Sequence, residues 1–184
     1  MRIGVDLDET SYPFVDTLAR WIHAKTGRPL DEMPPAREWA FYESWGYPVD
    51  EFLKHYREGV DAAFILSVGV PIAGARDAIL ALQSSGHTIH FVTDRFVGEC
   101  AQANTEEWLT TWEIPYDSIT YTKDKTVVQT DAFIDDKVTN VDELRAVGCL
   151  AYVFDRGRSE QQGHPHLISD WPAFVAEIER LSVE

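Results

Sequence analysis

Acidic side chains and one hydroxyl follow three short apolar runs in this sequence. Asp6 and Asp8 come after the first run, Thr93 after the second, and the pair Asp135-Asp136 after the third. Carboxylates that lie close together repel one another unless a cation neutralises them. Such an oxygen-rich group suits Mg²⁺, which prefers carboxylate, carbonyl and water ligands and leaves positions open to a substrate phosphate. The sequence therefore predicts a site that binds Mg²⁺ together with the phosphate group of a substrate.

Each of these residues also has a purely structural interpretation. Asp6 or Asp8 could cap a helix, Thr93 could bond the backbone at a strand end, and Asp135-Asp136 could form a solvated turn. Their order along the chain and their shared position after apolar runs favour a single site over unrelated caps and turns.

A basic segment, Thr122 to Thr126, precedes the last acidic pair. Its Lys123 or Lys125 could bring a positive charge to the carboxylates and to a phosphoryl group. A lysine exposed on the surface is the ordinary alternative at either position, so the spacing alone leaves the choice between them open.

Short apolar runs that alternate with segments of helical period must position these side chains. The predicted strands are Ile3 to Val5, Ile89 to Val92, Ala132 to Ile134 and Leu150 to Phe154. The predicted helices begin near Phe14, Ala75, Glu99, Val138 and Asp170. Continuous apolar strands alternating with helices are typical of a doubly wound α/β fold with a parallel sheet. Ligands of such sheets bind beyond the carboxyl ends of the strands.

The stretch from about Gly27 to Pro71 interrupts this alternation. It contains no clear strand, several prolines and many aromatic residues. Because a plain connection of this length is unusual, we predict an inserted, mostly helical cap. The expected division is a catalytic core of residues 1–14 and 72–184 with a small helical cap, 15–71, inserted after the first strand.

The composition excludes several classes of partner. The formal net charge of −15 should repel a nucleic acid polymer, but it leaves room for a small phosphorylated molecule in a local pocket. No apolar run approaches the roughly 18 residues of a membrane span, and the N-terminus reaches Asp6 before a signal peptide develops. Cys100 and Cys149 lack metal-site spacing and are expected to be free thiols. We therefore expect a cytoplasmic protein without a membrane partner, and a homodimer is compatible with this composition.

Four motifs in this order resemble those of the haloacid dehalogenase (HAD) superfamily of phosphatases. The first is Asp6-Leu7-Asp8-Glu9-Thr10, the second is Thr93, and the fourth is Asp135-Asp136, preceded by a lysine as the third. The resemblance covers most of the chain and implies an HAD-like, doubly wound, Rossmann-like parallel sheet.

The segment from Thr122 to Val128, followed by Phe133 to Asp136, is similar to the 5′(3′)-deoxyribonucleotidase family. This resemblance selects Lys125 as the motif lysine and implies a small helical cap between the first two motifs. The chain departs from the family pattern at Glu9, where glycine is usual, at Asp94-Arg95, at Lys137 and over residues 155–158.

The resemblance implies a catalytic role for each aspartate of the first motif. Asp6 would attack phosphorus and form an aspartyl-phosphate. Asp8 would protonate the leaving alcohol and then deprotonate the hydrolytic water.

The other motif residues are implied to hold the phosphoryl group and the metal. Thr93, Lys125 and the Asp94 backbone amide would bind phosphoryl oxygens. Mg²⁺ would be held by Asp6, the Asp8 main-chain carbonyl and Asp135, with Asp136 acting through water.

The aromatic residues of the predicted cap are candidates for holding a nucleobase. We select Phe14, Trp39, Phe41 and Trp45, with Arg95 as a further substrate contact. The alternative is that these rings form the small core of the cap itself.

The resulting prediction is a Mg²⁺-dependent phosphomonoesterase acting on (deoxy)nucleoside monophosphates. A sugar phosphatase and a polynucleotide 3′-phosphatase are alternatives on the same scaffold, although the acidic charge disfavours the polynucleotide. A non-catalytic module that binds nucleotides or a protein is a third alternative. Retention of both Asp6 and Asp8 disfavours it, because binding alone needs no general acid.

Overall fold

The computed structural model describes residues 1–182 and confirms the predicted α/β fold. Over these residues the strands form one parallel sheet in the order β3-β2-β1-β4-β5-β6. The strands are β1 (Arg2–Val5), β2 (Thr88–Thr93), β3 (Ser118–Tyr121), β4 (Ala132–Asp135), β5 (Leu150–Phe154) and β6 (Leu167–Ile168).

Seven α-helices connect or flank these strands in the described part of the chain. They are α1 (Phe14–Thr26), the single turn α2 (Phe41–Ser44), α3 (Val49–Asp61), α4 (Ala75–Ser84), α5 (Ala101–Thr111), α6 (Val138–Ala146) and α7 (Trp171–Ser182). Short 3₁₀ turns cover Leu30–Glu32, Lys125–Val127 and Ser159–Gln161. The five helices predicted from periodicity are present, and each begins within two residues of its predicted start.

The central strands carry apolar side chains that are buried on both faces of the sheet. Ile3 and Val5 of β1, Ile134 of β4 and Val153 of β5 are completely buried, as expected for a parallel sheet covered by helices. The two strands that the sequence did not predict lie at the edges. Residues 118–121 of β3 are only partly buried, and β6 has two residues, so neither carries a continuous apolar run.

The order of the strands changes direction at β1: β2 and β3 are added on one side of it, and β4, β5 and β6 on the other. Strand β1 pairs with β2 on one side and with β4 on the other, and the Asp6 backbone N–H donates to the Ile134 carbonyl. The carboxyl ends of β1, β2 and β4 therefore meet at a topological switch point, where ligands of such sheets bind.

The segment between β1 and β2 contains α1, α2, α3 and α4 and adds no strand to the described sheet. Its buried side chains, including Phe41, Trp45 and Tyr56, belong to the same continuous apolar cluster as Ile3 and Val5 of β1. Division of the chain into a core and a separate cap of residues 15–71 stays a prediction.

Two further expectations concern thiols and membranes. Both Cys100 and Cys149 are free, the first exposed and the second buried. Among residues 1–182 no helix has the length and apolarity needed to cross a membrane.

Candidate active site

Three carboxylates converge at the switch point of the sheet. Asp6 lies just after β1, Asp135 is the last residue of β4, and Asp136 follows it; each offers an oxygen, and these oxygens lie within 4.8 Å of one another. All three side chains are buried. Asp135 is further held by the Lys137 backbone N–H and the Asn140 amide, at 2.8 and 2.9 Å. The predicted strand-end carboxylates therefore form one cluster.

Lys125 is the lysine that reaches this cluster. Its buried ammonium donates to Asp6 Oδ1 at 2.5 Å and to the Val92 carbonyl, and lies 3.9 Å from Asp135 Oδ2. It begins the 3₁₀ turn whose N-cap, Asp124, accepts the Thr126 backbone N–H. Lys123, in contrast, is exposed.

The cluster carries more negative charge than its cations neutralise. Burial raises the pKa of Asp6 to about 7, with Asp135 and Asp8 adding to the effect and Lys125 opposing it. Burial also raises the pKa of Asp136 well above its ordinary value, although Arg158 opposes the shift. Despite burial, Asp6 and Asp135 raise the pKa of Lys125. Buried carboxylates that resist ionisation together fit a site for a divalent cation.

Asp8 lies beside this cluster with a side chain that is 28% exposed. Arg95 holds it: Nη2 donates to Asp8 Oδ1 at 2.7 Å, and Nε lies 3.2 Å from both carboxylate oxygens. The Arg95 side chain is completely buried and lies outside the cavity lining found among the described residues. The prediction that Arg95 contacts substrate is therefore wrong, because the guanidinium is turned away from solvent to pair with Asp8.

The residues proposed to hold the phosphoryl group lie at the end of β2 and on the Lys125 turn. Thr93 is completely buried and is not among the described residues that line the cavity; its hydroxyl has no hydrogen-bond partner within residues 1–182. A buried hydroxyl without a hydrogen-bond partner costs free energy. An oxygen acceptor that bonds the Thr93 hydroxyl would remove this cost. Asp94, the next residue, is exposed and lines the cavity described below.

A cavity of about 540 Å³ opens over the carboxylates. Asp6, Asp8, Lys125, Asp135 and Asp136 line its polar part. Side chains from the segment between β1 and β2 line its apolar part, among them Phe14, Trp39, Phe41, Tyr42, Phe52 and Tyr56. The arrangement places an aromatic wall opposite charged groups that could bind a phosphate.

Three of the four aromatic residues selected from the sequence reach this cavity. Phe14, Trp39 and Phe41 line it, whereas Trp45 is 1% exposed and is not among the lining residues of the described chain. The Trp45 indole N–H donates to the Pro34 carbonyl, and its ring packs edge-on to Phe41 at 4.9 Å. Selection of Trp45 is therefore wrong, since the ring belongs to the local core.

Additional aromatic residues of the cavity were missed. Tyr42 and Phe52 stack at 4.5 Å, and Tyr56 packs edge-on to Phe14 at 4.8 Å. All three lie in the aromatic stretch that the sequence analysis noted, but one-dimensional spacing over a short helix and loops did not show which rings face the cavity.

The acidic residue that departs from the family pattern has a clear structural role. Glu9 has φ of +60°, in the left-handed region that favours glycine. Its carboxylate accepts the Val15 backbone N–H at 2.9 Å and pairs with the Arg156 guanidinium at 3.0 Å. Glu9 therefore joins the start of α1 to the loop that follows β5.

The same loop supplies a second arginine to the acidic cluster. Arg158 is buried and pairs with Asp136 at 2.7 Å. Gln161 fixes the loop, because its amide donates to the Asp136 and Phe154 carbonyls while its oxygen accepts the backbone N–H groups of Arg156 and Arg158. Neither arginine was predicted as a site residue, although both follow an apolar strand whose carboxyl end lies at the same edge of the sheet as Asp6.

Replacement of Glu9 by glutamine is expected to lower the free energy of unfolding by about 1–3 kcal/mol, because a buried charge-assisted contact to Arg156 is lost. Chemical denaturation would measure the change. The matched control is Glu32→Gln, whose exposed pair with Arg28 at 3.2 Å should contribute at most about 0.5 kcal/mol. Equal effects of the two substitutions would contradict the structural role of Glu9.

The parallel sheet with buried carboxylates at its switch point is similar in fold to solved structures of HAD-type hydrolases. A predicted phosphoglycolate phosphatase from Lactobacillus delbrueckii has a TM-score of 0.66 at 12% identity, covering 96% of this chain and 97% of the other. An HAD-superfamily hydrolase from Geobacter sulfurreducens has a TM-score of 0.62 at 12% identity, covering 96% and 95%. At this identity the likeness shows the fold alone.

Sequence comparison places the chain more narrowly. Residues 1–164 match the family model of the 5′ nucleotidase, deoxy (pyrimidine), cytosolic type C protein. A predicted 5′(3′)-deoxyribonucleotidase from Chlorobaculum tepidum is 31% identical over 157 residues, which cover 83% of this chain and 77% of the relative. The chain belongs to this nucleotidase family of HAD phosphatases, and the resemblance found in the motifs is confirmed.

Proposed function

We propose that this phosphatase hydrolyses (deoxy)nucleoside monophosphates, depends on Mg²⁺ and forms an aspartyl-phosphate on Asp6. The observation that carries the proposal is the position of Asp6 on the cavity, against the Lys125 ammonium and beside the carboxylates of Asp135 and Asp136 at the end of β4. An aspartate so placed can meet a phosphoryl group whose charge the surrounding cations stabilise.

In the first step an Asp6 carboxylate oxygen attacks phosphorus. The bond from phosphorus to the alcohol oxygen breaks, and that oxygen takes the proton from Asp8. In the second step Asp8 accepts a proton from water as the water attacks the phosphoryl group. Asp6 is released as a carboxylate, and inorganic phosphate leaves.

The groups proposed to hold the phosphoryl oxygens come from β2 and the Lys125 turn. The Thr93 hydroxyl lacks a partner within the described residues, and the Lys125 ammonium already lies at Asp6. The Asp94 backbone amide completes the proposed set. These groups orient the phosphoryl group and offset its negative charge.

The donor set fits Mg²⁺, which binds through carboxylates, carbonyls and water. Asp6, Asp135 and the Asp8 main-chain carbonyl would hold the ion, and Asp136 would support it through water. When bound, the ion supplies positive charge to the phosphoryl oxygens. The raised pKa values of Asp6 and Asp136 support this assignment, because burial disfavours their charged forms even with Lys125 and Arg158 beside them, and a bound cation would offset that cost.

The aromatic wall of the cavity favours a nucleotide over a sugar phosphate. Aromatic faces hold nucleobases by roughly 1–3 kcal/mol each. Phe14, Phe41 and the half-exposed Trp39 offer such surfaces. The nearby Lys137 ammonium and Arg158 guanidinium lie over the Trp39 ring, at 4.5 and 5.3 Å from its centroid.

A substrate panel in the presence of Mg²⁺ tests this function through released phosphate. Deoxypyrimidine 5′-monophosphates should be turned over faster than sugar phosphates, and a 3′-phosphorylated oligonucleotide should be inert because the protein carries a net charge of −15. Faster turnover of a sugar phosphate would contradict the substrate class. Release from no compound, with an aryl phosphate also inert, would favour a non-catalytic binding module.

The family match also bears on the cellular location. The matched family is described as cytosolic, which supports the predicted cytoplasmic location. A homodimer stays a prediction compatible with the composition.

A further inference from the structure

Arg95 holds the carboxylate of Asp8 asymmetrically. The shortest contact, 2.7 Å, joins Arg95 Nη2 to Asp8 Oδ1, and Nε reaches both carboxylate oxygens only at 3.2 Å. Asp8 Oδ1 therefore accepts the stronger bond. Oδ2 keeps more of its capacity to donate or accept a proton.

The guanidinium itself is fixed from the opposite side. Arg95 Nη1 donates to Thr105 Oγ1 at 2.9 Å, and the Thr105 hydroxyl donates to the Ala101 carbonyl within α5. The Tyr12 ring covers the guanidinium at 4.7 Å and packs edge-on to Trp108 at 5.1 Å. Because Arg95 is completely buried in this packing, the orientation of Asp8 is coupled to α5.

We propose that Arg95 is a positioning residue that presents Asp8 Oδ2 to the leaving oxygen of the substrate, an inference that rests on the proposed function. As the phosphorus–oxygen bond breaks, the proton moves from Oδ2 to the leaving alcohol oxygen. It is replaced when Asp8 takes a proton from the attacking water. Arg95 stays protonated throughout and contributes orientation through its planar fork, which lysine lacks.

Rates with two leaving groups distinguish a positioning role of Arg95 from a merely structural ion pair. A positioning role affects only a leaving group that needs the Asp8 proton. A nucleoside leaves as an alcohol and needs the Asp8 proton, whereas nitrophenolate leaves without one. Under single-turnover conditions with enzyme in excess, Arg95→Lys should slow nucleoside formation from a deoxynucleoside monophosphate about 100-fold. Formation of nitrophenolate from 4-nitrophenyl phosphate should slow less than about 5-fold, because this step measures only the first bond cleavage.

Two further variants guard against a trivial loss of structure. Thr105→Val keeps both charges and removes the hydroxyl that accepts from Arg95 Nη1 and donates to the Ala101 carbonyl, so it should give the same selectivity for leaving group with a smaller loss. The control Arg76→Lys changes a partly buried arginine that bonds the Trp112 carbonyl and Glu113 away from the cavity, and it should alter neither rate.

The outcomes separate this inference from the proposed function. Equal losses on both substrates in Arg95→Lys and Thr105→Val, or full activity of Arg95→Lys, would overturn the positioning role alone. A wild-type protein inactive on both phosphates would overturn the proposed function and this role with it. Selective loss on the nucleotide in both variants supports the inference.

Discussion

An Asp6→Asn protein is expected to fold normally and to lose phosphatase activity by at least about 10³-fold, because an amide oxygen cannot replace the carboxylate nucleophile. Asparagine preserves the shape of the side chain, and its oxygen can still accept the Lys125 ammonium that now lies 2.5 Å from Asp6. Phosphate release from the best nucleotide of the panel would measure the effect.

Thermal unfolding separates loss of chemistry from loss of structure. Without divalent cations at pH 8, the variant should be at least as stable as wild type, because burial makes the Asp6 charge unfavourable. The matched control is Asp131→Asn, which lies before β4 at the opposite end of the sheet, where its carboxylate accepts the Arg2 backbone N–H. That control should retain activity. Turnover near wild type in Asp6→Asn would refute the nucleophile assignment.

The convergence of the carboxylates could be predicted because it depends on sheet topology alone. Once the apolar runs are assigned to parallel strands, their carboxyl ends must share an edge, and Asp6 and Asp135 follow two of those ends. Choice of Lys125 over Lys123 needed the family resemblance. Spacing does not show that the first side chain is buried against Asp6 while the second is exposed.

The pairs that orient the carboxylates could not be predicted from local spacing. Asp8 and Arg95 are 87 residues apart, and Glu9 and Arg156 are 147 apart. A polar residue placed at a strand end by topology still has several partners within reach, and only packing selects one. Arg95 was predicted to contact substrate, but it is buried under Tyr12 and its guanidinium donates to Asp8.

Side chains that follow parallel strands meet at one edge of the sheet, and this holds for the residues after β5 as well. Residues 155–158 follow β5, which lies next to β4, so their side chains reach the same edge as Asp135 and Asp136. Excess acidic charge near the first and fourth motifs needed cations, and Arg156 and Arg158 supply them. Electrostatic balance, applied to each strand end in turn, is the signal that could have found these arginines.

The same charge balance gives the second large expected effect, on removal of divalent cations. Chelation should abolish phosphate release, and Mg²⁺ should restore it, because the acidic cluster then lacks the charge needed to hold a phosphoryl group. Stability should also respond. Since burial raises the pKa of Asp6 from 3.8 to about 7, ionisation of Asp6 destabilises the ion-free folded state progressively as the pH rises between these values.

Bound cation should offset this destabilisation most strongly where Asp6 is already ionised. At pH 5.5 binding must displace the Asp6 proton, which lowers the apparent affinity for the cation relative to pH 8. The rise in melting temperature caused by Mg²⁺ should therefore be larger at pH 8 than at pH 5.5. Asp6→Asn should reduce that difference, because it removes the titrating group. An equal rise at both pH values, or activity that survives chelation, would contradict a metal site at Asp6, Asp135 and Asp136.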